Sequence, residues 1–211
     1  MTLSSTKNNI EMKKSTIILI VAVLVYFSAH SFIAYIVNPE NTDALVKKIS
    51  LGEKFHHLKI NIFYSAFIDI NVIEKPDTSE INYTGNMVNS ENFYTIENDT
   101  LSINIDTLHK NKIHSVDINT STIESININS TDRNYFNFTL LNGNKKIIIK
   151  GEPNITINNS RADTINVQCS DSLRIYFTQS SFSFINITSA AKNIKRLEFN
   201  NCKFDGIKVN K

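Results

Sequence analysis

Hydrophobic and polar positions alternate along most of the C-terminal half of the chain, and the alternation itself repeats. VDINTSTIESINI ending at Ile128, ITINNSRADTINV ending at Val167, RIYFTQSSFSFINI ending at Ile187 and RLEFNNCKFDGIKV ending at Val209 can be laid on one another. Each reads as an apolar strand, a small polar corner and a second apolar strand. The first anchors are Ile118, Ile157, Phe177 and Phe199, and the second, ten residues on, are Ile128, Val167, Ile187 and Val209. A degenerate copy runs from Phe138 through Leu141 to Ile147, Ile148 and Ile149, with a one-residue insertion expected in it. A strand-based period of about twenty residues predicts turns that stack and share one core. The expected fold is all-β, a single parallel β-solenoid or β-helix.

Three columns follow from the register. Ser121, Ser160, Ser180 and Cys202 stand three residues after the first anchor, where a tight bend leaves room only for a small side chain. Asn119, Thr139, Asn158, Thr178 and Asn200 stand just after it, and stacked amides or hydroxyls there are expected to satisfy one another. The one column with carboxylates is Glu124, Asn144, Asp163, Ser183 and Asp205. Stacked carboxylates suit a hard cation or work on polysaccharides. Asn144 and Ser183 interrupt the stack, so a solvated turn is expected and no metal site is predicted. Cys169 and Cys202 fall in different columns, beyond the short reach of a disulfide, and are expected to be unpaired.

Upstream, FHHLKINIFYSAFIDINVIEK from Phe55 predicts strands over 58–63 and 67–73, joined by Tyr64, Ser65 and Ala66. Further strands are expected over 81–85, stopped by Gly85, and over 101–105, after a turn at Asn98 and Asp99. Nearer the start, residues 16–37 read TIILIVAVLVYFSAHSFIAYIV, 22 residues with no acidic or permanently basic side chain. That matches the length of one transmembrane helix. Lys7, Lys13 and Lys14 precede it and Glu40 and Asp43 follow, which predicts the N-terminus inside and the remainder exported. The expected organisation is a cytoplasmic tail over 1–15, a signal anchor over 16–37, a linker over 38–54 and an exported domain over 55–211. The alternative is a cleavable signal peptide with an apolar core over 17–27 and a small-residue site near Ala29 and Ser31. His30 interrupts the apolar run and is read as neutral.

The order Phe55, Leu58, Ile60, then Ser65 and Ala66, then Ile68, Ile70 and Val72, then Tyr83, then the run Asp99 to Ile103 resembles the opening of the head GIN domain. That family is described as a "putative auto-transporter adhesin" domain of bacteria, particularly Bacteroidetes. The resemblance covers roughly residues 55–209, and it implies an exported β-solenoid with no catalytic residues to carry over. This chain departs from the family in its turns, where Asn, Ser and Lys replace most of the favoured glycines.

Composition narrows the function classes. A net charge of +2, with bases and acids interleaved, provides no basic stripe for nucleic acid. Five Gly form neither GxGxxG nor GxxxxGK[ST], and there is no GxSxG elbow. The exported His56, His57, His109 and His114 lack a thiol or HExxH partner; His109 and His114 are close enough in sequence to approach one another, but with no acidic or thiol partner at ligand spacing no metal centre is predicted. No catalytic, cofactor-binding or metal-binding residue is therefore assigned. Tyr135, Phe136, Tyr176, Phe182 and Phe204 are candidate sugar-stacking aromatics, most of them expected inside. The last turn leaves an open strand edge that needs a cap or a partner, with Lys203, Lys208 and Lys211 as charge protection. The expected function is a non-catalytic, membrane-anchored envelope module that binds glycan or protein partners. The alternatives are a β-helix enzyme acting on polysaccharide, which needs acids beside Lys or Arg in one groove, and an envelope sensor acting through a partner.

Overall fold

A computed structural model describes residues 46–63, 67–85, 93–109, 112–130, 134–190 and 194–210. The expected span at 16–37 with His30, the tail at 1–15, residues 38–45, the corner at 64–66 and Lys211 lie outside the described residues. No helix among the described residues is long and apolar enough to cross a membrane.

Sixteen strands follow one another: β1 (Val46–Ser50), β2 (His57–Ile62), β3 (Asp69–Glu74), β4 (Ser79–Gly85), β5 (Tyr94–Glu97), β6 (Thr100–Ile105), β7 (Ile113–Thr120) and β8 (Ser125–Ser130). After them come β9 (Tyr135–Thr139), β10 (Asn144–Gly151), β11 (Asn154–Asn158), β12 (Arg161–Cys169), β13 (Leu173–Thr178), β14 (Ser181–Ser189), β15 (Ile194–Asn200) and β16 (Lys203–Asn210). A single-turn 3-10 helix (Thr107–His109) is the one helical element among the described residues. The strands form two eight-stranded sheets. The first runs β1-β4-β7-β3-β9-β11-β13-β15 and the second β5-β6-β2-β8-β10-β12-β14-β16. Inward residues of both sheets, from Leu58 to Ile187, make one continuous apolar core.

From β8 onward the chain alternates between the sheets, and each strand pairs in parallel with the one two places later. The offset is close to the expected period: Ile155 faces Ile175, Ile165 faces Ile185 and Ile185 faces Ile207. The first-anchor column is real, since Ile118, Val72, Phe138, Ile157, Phe177 and Phe199 lie in one register. The second is displaced in its first copy. Ile126, not Ile128, aligns with Ile147 and Val167. The degenerate copy carries a deletion where an insertion was expected, because Phe138 pairs with Ile157 at an offset of 19 and Leu141 with Arg161 at 20.

The chain does not form a single solenoid. Both sheets are mixed, with β1, β4 and β5 antiparallel to their neighbours. Moreover β2 pairs with both β6 and β8, and β3 with both β7 and β9. The β2–β3 turn is thus slotted between the β6–β7 turn and the β8–β9 turn. The first sequence copy, β7 plus β8, is split across that insertion. The reason is that Leu58, Ile60, Ile62, Ile70 and Val72 have the same alternation as the repeats, and layers on both sides bury them completely. Residues 46–50, expected as linker, form β1 against β4, and Leu51 enters the core.

The corners explain the scarcity of glycine. Asn142, Asn159, Gln179 and Asn201 take a positive φ of 54°, 47°, 50° and 53°, the left-handed conformation in which asparagine is the best tolerated residue after glycine. The small residue next in line then closes the corner. Ser160 donates its hydroxyl to the Asn158 carbonyl at 3.0 Å and Ser180 donates to that of Thr178 at 2.8 Å. The serine hydroxyl oxygens also accept from the turn before, Ser160 Oγ from Leu140 N–H at 2.8 Å and Ser180 Oγ from Ser160 N–H at 3.1 Å. A serine ladder therefore satisfies buried backbone groups down the corner.

Candidate functional site

Outward residues of the second sheet form the most regular surface. Leu58 and Ile60 of β2, Ile126 and Ile128 of β8, and Ile147 and Ile149 of β10 point inward, so the positions between them lie on the outer face, where Lys59, Asn127, Asn129 and Lys150 are exposed and Asn61 is only 8% exposed. Register places Lys59 beside Asn127 and Asn127 beside Ile148; two residues along, Asn61 lies beside Asn129 and Asn129 beside Lys150. The result is a two-by-three grid with the lysines at opposite corners. Phe63, 54% exposed, closes one end, and the grid floors a shallow groove of about 490 Å³. Asn61 is held by donating to Asn104 Oδ1 at 2.7 Å. The groove lining holds two ammonium groups and no carboxylate. Such a surface offers amides to hydroxyl groups, cations to anionic groups and an aromatic face to a sugar ring.

The acidic column divides between two other clefts. Glu124 and Asn144 border one of about 480 Å³ together with Lys145 and Ser121. Asp163, Ser183 and Asp205 border a second of about 420 Å³, where Arg161 and Lys203 join them. This gathering of acids with bases was not legible in the sequence analysis, which found no such cluster. It arises at a bend where two consecutive residues face out, as at Ser183 and Phe184. Across two strand spacings the Asp163 and Asp205 backbones stand about 10 Å apart. Among the described residues no three His, Cys, Asp or Glu side chains are grouped to hold a metal ion.

The remaining candidates are dispersed. His56 Nδ1 lies 2.8 Å from Asp99 Oδ2, and this hydrogen bond holds the Asp99 carboxyl below its ordinary value. His57 meets Ser125 Oγ at 2.9 Å, His109 pairs with Asp106 at 2.8 Å, and His114 is exposed on β7. Cys169 and Cys202 are free thiols, and burial pushes the Cys169 thiol up. Phe136 and Phe182 are core residues, Tyr135 is exposed, and Tyr176 carries the Arg196 guanidinium 5.5 Å from its ring centroid. Phe204 packs on Phe199 with centroids 5.1 Å apart. In the Asn and Thr column, Thr139 donates to Asn158 at 3.0 Å, whereas Asn119 turns to Glu80. A fuller amide ladder lies on the outer face of the first sheet, where Asn137 donates to Asn71 and Asn71 to Asp117.

The sequence reading missed a buried ion pair. Glu74 and Lys145 meet at 2.6 Å beneath the 480 Å³ cleft. The carboxylate also accepts the backbone N–H groups of Ile123 and Leu141, and the ammonium also donates to Ile123 O at 2.6 Å. Glu74 thus does at its corner what Ser160 and Ser180 do at theirs.

No family model and no curated protein matches the chain, so the likeness to the head GIN domain stays with the residues quoted for it. Among solved structures the chain is similar to a "putative adhesin" from Parabacteroides distasonis ATCC 8503, with 16% identity, a TM-score of 0.49, and coverage of 79% of this chain and 64% of that one. The chain therefore spans less than two thirds of that protein. It is also similar to a "putative adhesin" from Parabacteroides merdae ATCC 43184, with 14% identity, a TM-score of 0.36, and coverage of 81% and 98%. A third is a "putative lipid binding protein" from Parabacteroides distasonis ATCC 8503, with 11% identity, a TM-score of 0.44, and coverage of 80% and 78%. At these identities and scores the likeness carries no argument about what this chain does.

Proposed function

We propose that the chain is a non-catalytic binding module of the cell envelope, of the adhesin type its likeness to the head GIN domain suggests. In this reading residues 16–37 anchor it in the membrane, and the second sheet displays its outer face to an acidic glycan. One observation supports the ligand class: the grid of Lys59, Asn61, Asn127, Asn129 and Lys150 beside Phe63 has cations, amides and an aromatic ring but no acid. Parallel stacking keeps the grid rigid, so little ordering entropy is lost on binding. The test is a glycan array followed by calorimetry on the full chain in detergent. Acidic glycans should bind, and Lys59→Glu with Lys150→Glu should abolish the binding. Preference for neutral glycans, or binding unaffected by the double substitution, refutes the site.

A second reading has its own observation. Arg161, Asp163, Lys203 and Asp205 share one cleft, the combination that a polysaccharide-cleaving β-helix needs. Backbones about 10 Å apart let two Asp carboxylates that lean toward each other reach the separation of about 6.5–9.5 Å that an inverting arrangement uses. Turnover of an acidic polysaccharide that is lost in Asp163→Asn and in Asp205→Asn would establish an enzyme and displace the binding reading.

A further inference from the structure

The two ends of the stacked sheets are finished differently. At one end the antiparallel strands β1, β4 and β5 close over the core, and Ile81, Tyr83, Phe93 and Leu101 are buried beneath them. At the other end β15 and β16 are both edge strands. Their inward positions repeat the core columns, yet nothing among the described residues covers them. Ile185 and Ile187 are fully buried, whereas Ile207 and Val209, one turn on in the same columns, are 39% and 40% exposed. Phe204 is 36% exposed against 3% for Phe182. An open apolar layer flanked by two unpaired strand edges is a surface built to be continued.

The sequence of β15 indicates by what. Around Leu197 it reads Lys195, Arg196, Leu197, Glu198, Phe199. Pairing β15 antiparallel with a second copy of itself, centred on Leu197, places each Arg196 opposite the partner's Glu198. The two side chains already meet at 2.5 Å within the strand, on the solvent face, so both are positioned to exchange partners. A two-fold pairing of this kind is closed, which a head-to-tail stack is not. The β1 edge, which a head-to-tail stack would present, carries Lys47 and Lys48 against Lys195 and Arg196. Like charges disfavour that alternative.

We infer that two copies of the chain associate end to end through β15 and β16, about a two-fold axis at Leu197, sealing their open core layers against each other. Sedimentation equilibrium of the full chain in density-matched detergent tests this. The wild-type chain should sediment at twice its own mass. Arg196→Glu and Glu198→Arg each set like charges opposite one another at two symmetric places, and each should weaken association at least about tenfold. Mixing the two variants restores both opposite-charge pairs, so a one-to-one heterodimer should form. Circular dichroism should be unchanged throughout, because Arg196 and Glu198 are surface residues. A wild-type chain that stays monomeric, variants that dimerise as well as the wild type, or a mixture that fails to associate would each overturn the inference.

Discussion

Replacing Glu74 by Gln should be among the most damaging single changes outside the aliphatic core. The side chains of Lys145 and Glu74 are only 4% and 1% exposed, so solvent cannot screen what remains after the substitution. Glu74→Gln leaves the Lys145 ammonium buried with the Ile123 carbonyl and one amide oxygen, and turns an NH2 group toward the N–H groups of Ile123 or Leu141. Removing one member of such a pair costs about 3–5 kcal/mol. For a domain of this size that lowers Tm by about 6–20 °C. Lys145→Met should cost less, because the carboxylate retains its two backbone donors. The double variant Glu74→Gln with Lys145→Met should be more stable than Glu74→Gln alone, since no cation is then stranded. Urea unfolding followed by circular dichroism measures all three. A loss under about 1 kcal/mol for Glu74→Gln, or single effects that add within about 0.5 kcal/mol, would refute a dry, coupled pair.

Other perturbations test the remaining structural claims. Ile185→Asp puts an unpaired carboxylate into a fully buried column and should cost at least about 4 kcal/mol, visible as loss of the cooperative thermal transition. Gly151 has φ 92°, and a Cβ there would stand 1.7 Å from Ser130 O, so Gly151→Ala should lower Tm markedly in a thermal melt. At Gln179, whose φ is 50°, glycine removes left-handed strain, and Gln179→Gly should hold or raise urea stability by up to about 1 kcal/mol. Acid should destabilise the fold. The Gly151 N–H and the Ser170 hydroxyl hold the Asp171 carboxyl below its ordinary value, and Lys195 does the same to Glu152. A depressed folded-state value gives stability that is present above the unfolded value of about 4 and is lost as pH falls through the folded one. Melts from pH 7 to pH 2 should therefore show Tm falling below about pH 4, less steeply in Asp171→Asn; a flat profile would contradict these hydrogen bonds.

Local features were legible because their causes are local. The alternation of Ile155, Ile157, Ile165 and Val167 follows from the pleat, and the Asn-Ser and Gln-Ser corners from backbone conformation and the reach of a serine hydroxyl. The hairpin turn at Asn98 and Asp99, with φ of 48° and 63°, belongs to the same class. The site was less legible. Lys59, Asn127 and Lys150 are ordinary outward residues until three distant strands are set side by side.

By itself the sequence determined an all-β fold with a period near twenty residues, its corners and its inward columns. Tertiary structure alone decided which layer lies beside which. Parallel strands with the same alternation fit one another about equally well, so periodicity cannot say that β2 and β3 belong between the β6–β7 and β8–β9 turns. The choice is made by long-range contacts such as Glu74 to Lys145, 71 residues apart, and by the burial gained when an apolar layer is covered on both sides. The pairing of β2 with β8 also assembled the Lys and Asn grid.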